Sequence, residues 1–70
     1  MANTYHMLSP SGEQNEVTVQ GLMEIFTDWN SWLSFLDAAL SGKIATMTAH
    51  MESGETHTYQ VSRLPFESFA

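Results

Sequence analysis

Between Leu22 and Leu40 the apolar residues Leu22, Ile25, Phe26, Trp29, Leu33, Leu36, Ala39 and Leu40 recur at intervals of three and four. That spacing lines one side of an α-helix, because a 3.6-residue period returns side chains to the same face at those steps. Ser41-Gly42 follows, and a glycine can enter the left-handed conformation that ends a helix. Within the stripe, Asp28, Asn30 and Ser31 are residue types that cap helix starts, which predicts a break near Trp29-Asn30 and two short helices in place of one. Trp32 and Phe35 fall off the main stripe, so the apolar surface is wider than one sheet face requires, and some aromatic surface is expected to stay exposed.

On either side the period changes. Tyr5 and Met7 alternate with Thr4 and His6, and Val17 and Val19 with Glu16 and Thr18, as in strands with one buried face. Pairing Tyr5 with Val19 and Met7 with Val17 sets all four on one face and leaves a loop around Pro10-Ser11-Gly12-Glu13, made of turn formers. Past the helical region, Ala45, Met47, Ala49 and Met51 form one strand face, and His57, Tyr59 and Val61 form the next. A two-residue Ser53-Gly54 turn would set Met51 opposite Thr56, apolar against polar. An odd-length loop with Gly54 in the left-handed bulge position avoids this and pairs Met51 with His57 and Ala49 with Tyr59.

The expected fold is one α+β domain over residues 1–70: an antiparallel four-stranded sheet of two hairpins, covered on one face by one helix or a broken helix pair, in the order ββα(α)ββ. Its other face would show Thr46, Thr48, His50, Thr56, Thr58, Gln60 and Ser62, polar and almost uncharged. Met7, Met23, Met47 and Met51 are expected to fill gaps in the core. The ending Leu64–Ala70 cannot extend a strand through Pro65, so Phe66 and Phe69 either fold back on the core or dock on a partner. A chain of 70 residues buries only about 60% of its unfolded surface. Without cysteine it has no disulfide to compensate, which leaves one small aromatic-rich core, helped by any self-association.

Charge narrows the partners. Lys43 and Arg63 are the only fixed cations against eight carboxylates, for a net charge of −6. Nucleic-acid binding needs several phosphates neutralised by Lys or Arg, and two cations cannot supply such a patch. Anionic membrane surfaces fail the same test, and no apolar run reaches the roughly 20 residues that span a bilayer. The start Met1-Ala2-Asn3-Thr4 has no basic segment leading into an apolar one, so the expected location is the cytoplasm, that of the host cell if the chain is phage-encoded.

No nucleophile elbow, phosphate-binding glycine loop, HExxH or EF-hand spacing occurs, and no enzyme activity or cofactor is expected. His50 and His57, near Glu52 and Glu55, could in principle share a metal, but their rings point to opposite sheet faces on this register, and no metal site is expected. Tryptophan is a typical interface anchor. The expected partner-facing patch is Trp32 and Phe35, bordered by Asp28 and Asp37 and continued by the carboxylates Glu24, Glu13 and Glu16. Burial in the monomer core or in a homodimer seam is the other reading of the same residues.

The stretch Tyr5-His6-Met7-Leu8-Ser9-Pro10-Ser11-Gly12-Glu13, followed by Glu16-Val17, Leu22, Phe26 and Ser41-Gly42-Lys43, resembles the short modules of phage homing endonucleases and related phage proteins. Those modules read approximately Y-x-L-x-S-P-x-G, then E-V, a helical pair, and G-K before a final strand. The resemblance covers about residues 5–43 and implies a nuclease-associated DNA-binding element, whose helices and post-G-K residues are basic; here Lys43 alone matches that character. Small, acidic, cysteine-free domains without catalytic motifs are similar in class to phage inhibitors of host machinery, anti-CRISPR proteins among them. The expected function is thus a non-enzymatic, phage-type inhibitor that binds a basic host nucleic-acid-binding protein, such as a CRISPR effector, through an acidic and aromatic surface. The alternatives are a degenerate DNA-binding accessory module and a homo-oligomeric structural accessory protein.

Overall fold

The computed structural model describes residues 4–69. Met1-Ala2-Asn3, which carry part of the expectation about the amino terminus, and Ala70 lie outside the described residues. In chain order the elements are β1 (Thr4–Leu8), β2 (Gln14–Thr18), α1 (Val19–Ile25), α2 (Trp29–Ser41), β3 (Ala45–His50) and β4 (Thr56–Ser62), with a 3-10 turn at Phe66–Phe69. The strands form one antiparallel sheet in the order β2-β1-β4-β3, with both helices packed on one face, which is the expected ββααββ arrangement. The two hairpins join through β1 and β4, where Met7 pairs with Val61.

Both hairpin registers differ from expectation by two residues, and the helix and loop geometry explains why. Val19 is not a strand residue but the first residue of α1, because Thr18 caps that helix, its Oγ1 accepting from the Gly21 N–H at 3.2 Å. Tyr5 therefore pairs with Val17, and Met7 with Asn15, in place of the expected Val19 and Val17. A slip of two leaves every side chain on its expected face. In the second hairpin the loop is odd in length and Gly54 takes φ 92°, as expected. Met51 donates to the Glu55 carbonyl at 2.8 Å, so the loop is tighter, and Ala49 faces His57 and Met47 faces Tyr59.

The helical segment breaks at Phe26-Thr27-Asp28, slightly before the expected Trp29-Asn30. Phe26 and Asp28 are extended, and the Asp28 Oδ2 accepts from both the N–H and the Oγ of Ser31, at 3.2 and 3.3 Å. The Trp32 indole N–H donates to the Phe26 carbonyl at 2.8 Å and ties the two helices across the break. At the far end Gly42, at φ 69°, lets its own amide and that of Lys43 donate to the Ala38 carbonyl.

The core comprises Leu22, Phe26, Phe35, Ala38, Ala45, Met47, Ala49 and Val61, with Tyr5, Met7, Val17, Trp32 and Tyr59 packed around it. Phe35 stands 5.1 Å, centroid to centroid, from both Tyr5 and Trp32, and Phe26 meets Tyr59 edge-on at 5.5 Å. Met47 is fully buried, whereas Met23 and Met51, expected in the core, are exposed. Met51 lies beyond the end of the ladder, and the two-turn α1 buries only Leu22. On the opposite sheet face Thr46, His50, Thr56, Thr58 and Gln60 are exposed as expected, while Thr48 is half-buried and Ser62 is buried beside the central strand β1.

Helix α2 lies along β3, the edge strand. Ala38 on the helix and Ala45 and Ala49 on the strand are small and buried, and this allows a close approach. As a result the Ser31 Oγ accepts from the Thr48 N–H at 2.8 Å, and the Ser34 Oγ from the Thr46 N–H at 3.3 Å. The serines supply acceptors to strand donors that would otherwise offer this edge to another chain. Among the described residues no helix is long and apolar enough to cross a membrane.

Candidate functional site

The capping of Asp28 sets the rotation of α2. At about 100° per residue, Ser31, Phe35 and Ala38 fall on one side, and these are the residues of α2 that are buried. Trp29, Leu33, Leu36 and Leu40 fall on the opposite side, and they are 72%, 48%, 55% and 90% exposed. Helix α2 thus turns its less hydrophobic face inward and shows solvent a row of one Trp and three Leu. Asn30, Ser34, Asp37 and Ser41 form the polar border of that row, and Trp32 and Ala39 lie between the row and the core.

This placement corrects the expected patch. Phe35 is only 6% exposed, wedged between Tyr5 and Trp32, and cannot anchor a partner. Trp32 is half-buried with its indole N–H already engaged. It lines a shallow, open groove of about 480 Å³ with Met23, Phe26 and Thr27, and this is the part of its surface that remains accessible. The residues expected to face the sheet, Trp29, Leu33, Leu36 and Leu40, take the outward position instead.

The acidic residues do not gather around the aromatics. Asp28 is half-buried and caps α2; Asp37 is exposed on the polar border of its outer row. Glu24 is exposed on α1. Glu16 pairs with His6 on the face of the sheet turned away from the helices, and Glu13 closes the β1–β2 loop, its amide donating to the Ser9 Oγ at 3.0 Å. Carboxylates therefore occupy both sides of the molecule. The two fixed cations share one corner: Lys43 and Arg63 each lie two residues beyond Ala45–Val61, the pair that ends the β3–β4 ladder, and Gly42 and Arg63 line one depression there. Among the described residues the one contact between a basic side chain and a carboxylate is His57 Nε2 with Glu55 Oε2 at 3.5 Å, so neither fixed cation is paired there.

A depression of about 310 Å³ on the open sheet face is lined by Leu8, Ser9, Pro10, Gly12, Thr46, Thr58 and Gln60, without a titratable side chain. Among the described residues no three of His, Asp and Glu are placed to hold a metal ion. His50 and His57 stand opposite Thr56 and Ala49 and so project from opposite faces of the sheet. The outer row of α2 was readable as apolar in the sequence; its outward direction was not, because Ser31 and Ser34 carry no hydropathic signal for the face they occupy. Comparison of the chain with protein-family models, with curated proteins and with solved structures finds no match.

Proposed function

We propose that this chain is a protein-binding module without catalytic activity, which occupies the basic, nucleic-acid-binding surface of a host protein as a phage-encoded inhibitor would. The observation that carries this reading is the distribution of charge. Carboxylates lie on the helical side, on the open sheet face and in both hairpin loops, whereas Lys43 and Arg63 are confined to one corner. A surface of one sign steers association toward the opposite sign and suppresses binding to phosphates. At eight carboxylates in 70 residues the charge is too sparse to copy the duplex spacing of about one charge per 1.7 Å. The module therefore competes for a basic surface by covering it.

The test is a pull-down of the tagged chain from nuclease-treated bacterial lysate at low and moderate salt, beside a Glu16→Lys/Glu24→Lys variant. Both positions are exposed, so the variant retains the fold. The expected result is one nucleic-acid-binding complex, weakened by salt and lost with the variant. Equal recovery by the variant refutes the reading, as does a mobility shift of duplex DNA by the chain alone.

A further inference from the structure

From the outer face of α2 we infer that the chain pairs with a second copy of itself, α2 against α2, in antiparallel orientation about a twofold axis. The inference does not rest on the inhibitor reading. Trp29, Leu33, Leu36 and Leu40 are spaced by four, three and four residues, the repeat of a helix–helix seam, in which knobs of one helix enter holes of the other.

Area comes first. Taking roughly 200 Å² for a large apolar residue, the exposures of 72%, 48%, 55% and 90% leave on the order of 500 Å² uncovered on one chain. That lies in the upper part of the range for a monomer's largest apolar patch, about 300–600 Å², and such patches often mark binding sites. Two such rows facing each other bury on the order of 1,000 Å², the threshold of a specific interface, before Met23 and Trp32 at its margin are included. The 13-residue helix gives a seam only about 20 Å long, and an interface of that size is weak and reversible.

Charge selects the orientation. The row begins beside Asp28, with Glu24 on the preceding helix, and ends beside Lys43. Between them the outer half of α2 carries a single charge, Asp37. Antiparallel pairing sets Trp29 over Leu40 of the other copy and Leu33 over its Leu36. It also brings the carboxylates at one end against Lys43 at the other, which has no ion pair among the described residues, twice by symmetry. Parallel pairing would set Lys43 against Lys43 and Asp28 against Asp28. The antiparallel arrangement also opposes the two helix dipoles favourably; the positive start of the partner's helix itself repels Lys43, so the attraction at each seam end comes from the carboxylates of Asp28 and Glu24 alone.

The experiment is sedimentation equilibrium of the full chain from about 1 µM to 1 mM, the range in which a small reversible interface associates, with the combined emission of Trp29 and Trp32 read on the same samples. The expected mass rises from 7.8 kDa to twice that value, and the emission moves to the blue as the most exposed Trp is covered. Leu36→Glu and Leu40→Ser, both on the exposed face, should remain at the monomer mass with the circular dichroism of the parent. Lys43→Ala should weaken pairing at least threefold, since it removes the attraction across the seam ends. A single 7.8 kDa species at every concentration overturns the inference. A dimer indifferent to Leu36→Glu overturns it too, and a dimer strengthened by Lys43→Ala overturns the antiparallel orientation.

Discussion

Removing one oxygen from Ser31 tests the account of how α2 is seated. Ser31 is 4% exposed, and its Oγ accepts from the Thr48 amide at 2.8 Å while donating to the Asp28 carboxylate at 3.3 Å. In Ser31→Ala the part-buried Thr48 N–H has no acceptor, which costs about 1–3 kcal/mol. The long bond to Asp28 adds little, because the Ser31 backbone N–H still occupies that carboxylate. Alanine is the better helix former, by about 0.5 kcal/mol, and this offsets part of the loss. A net destabilisation of about 0.5–2.5 kcal/mol follows, which in a domain of this size lowers the melting temperature by roughly 2–20 °C. Ser34→Ala is the internal control. Its bond to the Thr46 amide is longer, 3.3 Å, and solvent-exposed, so water replaces it and stability changes by less than about 0.5 kcal/mol. Urea unfolding at low micromolar concentration measures both, with unchanged m-values, and hydrogen exchange should accelerate at Thr48 in the first variant only. A loss below about 0.5 kcal/mol for Ser31→Ala, or equal losses for the two serines, would show that α2 is not held by this contact.

Phe35→Ala should cost about 3–5 kcal/mol, because Phe35 fills the space between Tyr5 and Trp32; Leu36→Ala, one residue on and outward-facing, should stay within about 0.5 kcal/mol. Thermal unfolding at low concentration separates them, and comparable losses would place α2 the other way round. Trp32→Phe retains the ring contacts but strands the Phe26 carbonyl, with an expected loss of about 1 kcal/mol, seen as a lower urea midpoint. Gly54→Ala meets no atom within 4 Å yet must hold φ 92°, so it should cost about 1–2 kcal/mol through the backbone alone; an unchanged melting temperature would contradict that geometry.

The fold class was legible because period and punctuation agree along the chain: alternation at Tyr5–Met7 and Ala45–Met51, a helical period from Leu22 to Leu40, glycines at the turns. Pairing registers were legible only modulo two. Alternation decides which face a residue takes but not which partner it meets, and the partners were chosen by Thr18 becoming a helix cap and Gly54 tightening a loop. The candidate site was harder to read. Phe26-Thr27-Asp28 leaves the helix, so the rotation counted from Leu22 does not carry through to Trp29. Helix α2 is apolar on two sides, and hydropathy alone ranks Trp29, Leu33, Leu36 and Leu40 above Ser31, Phe35 and Ala38.

By itself, then, the amino-acid sequence determined the elements, their order, the face of each strand and a cation-poor surface, because these depend on local period, turn chemistry and composition. Only the tertiary structure decided which side of α2 is covered. On that side Ala38 allows a close approach to β3, Phe35 fills the space between Tyr5 and Trp32, and Ser31 gives the part-buried Thr48 amide its acceptor. Fit to the sheet, and not hydropathy, thus selected the covered side, and the row of Trp29, Leu33, Leu36 and Leu40 was left to solvent.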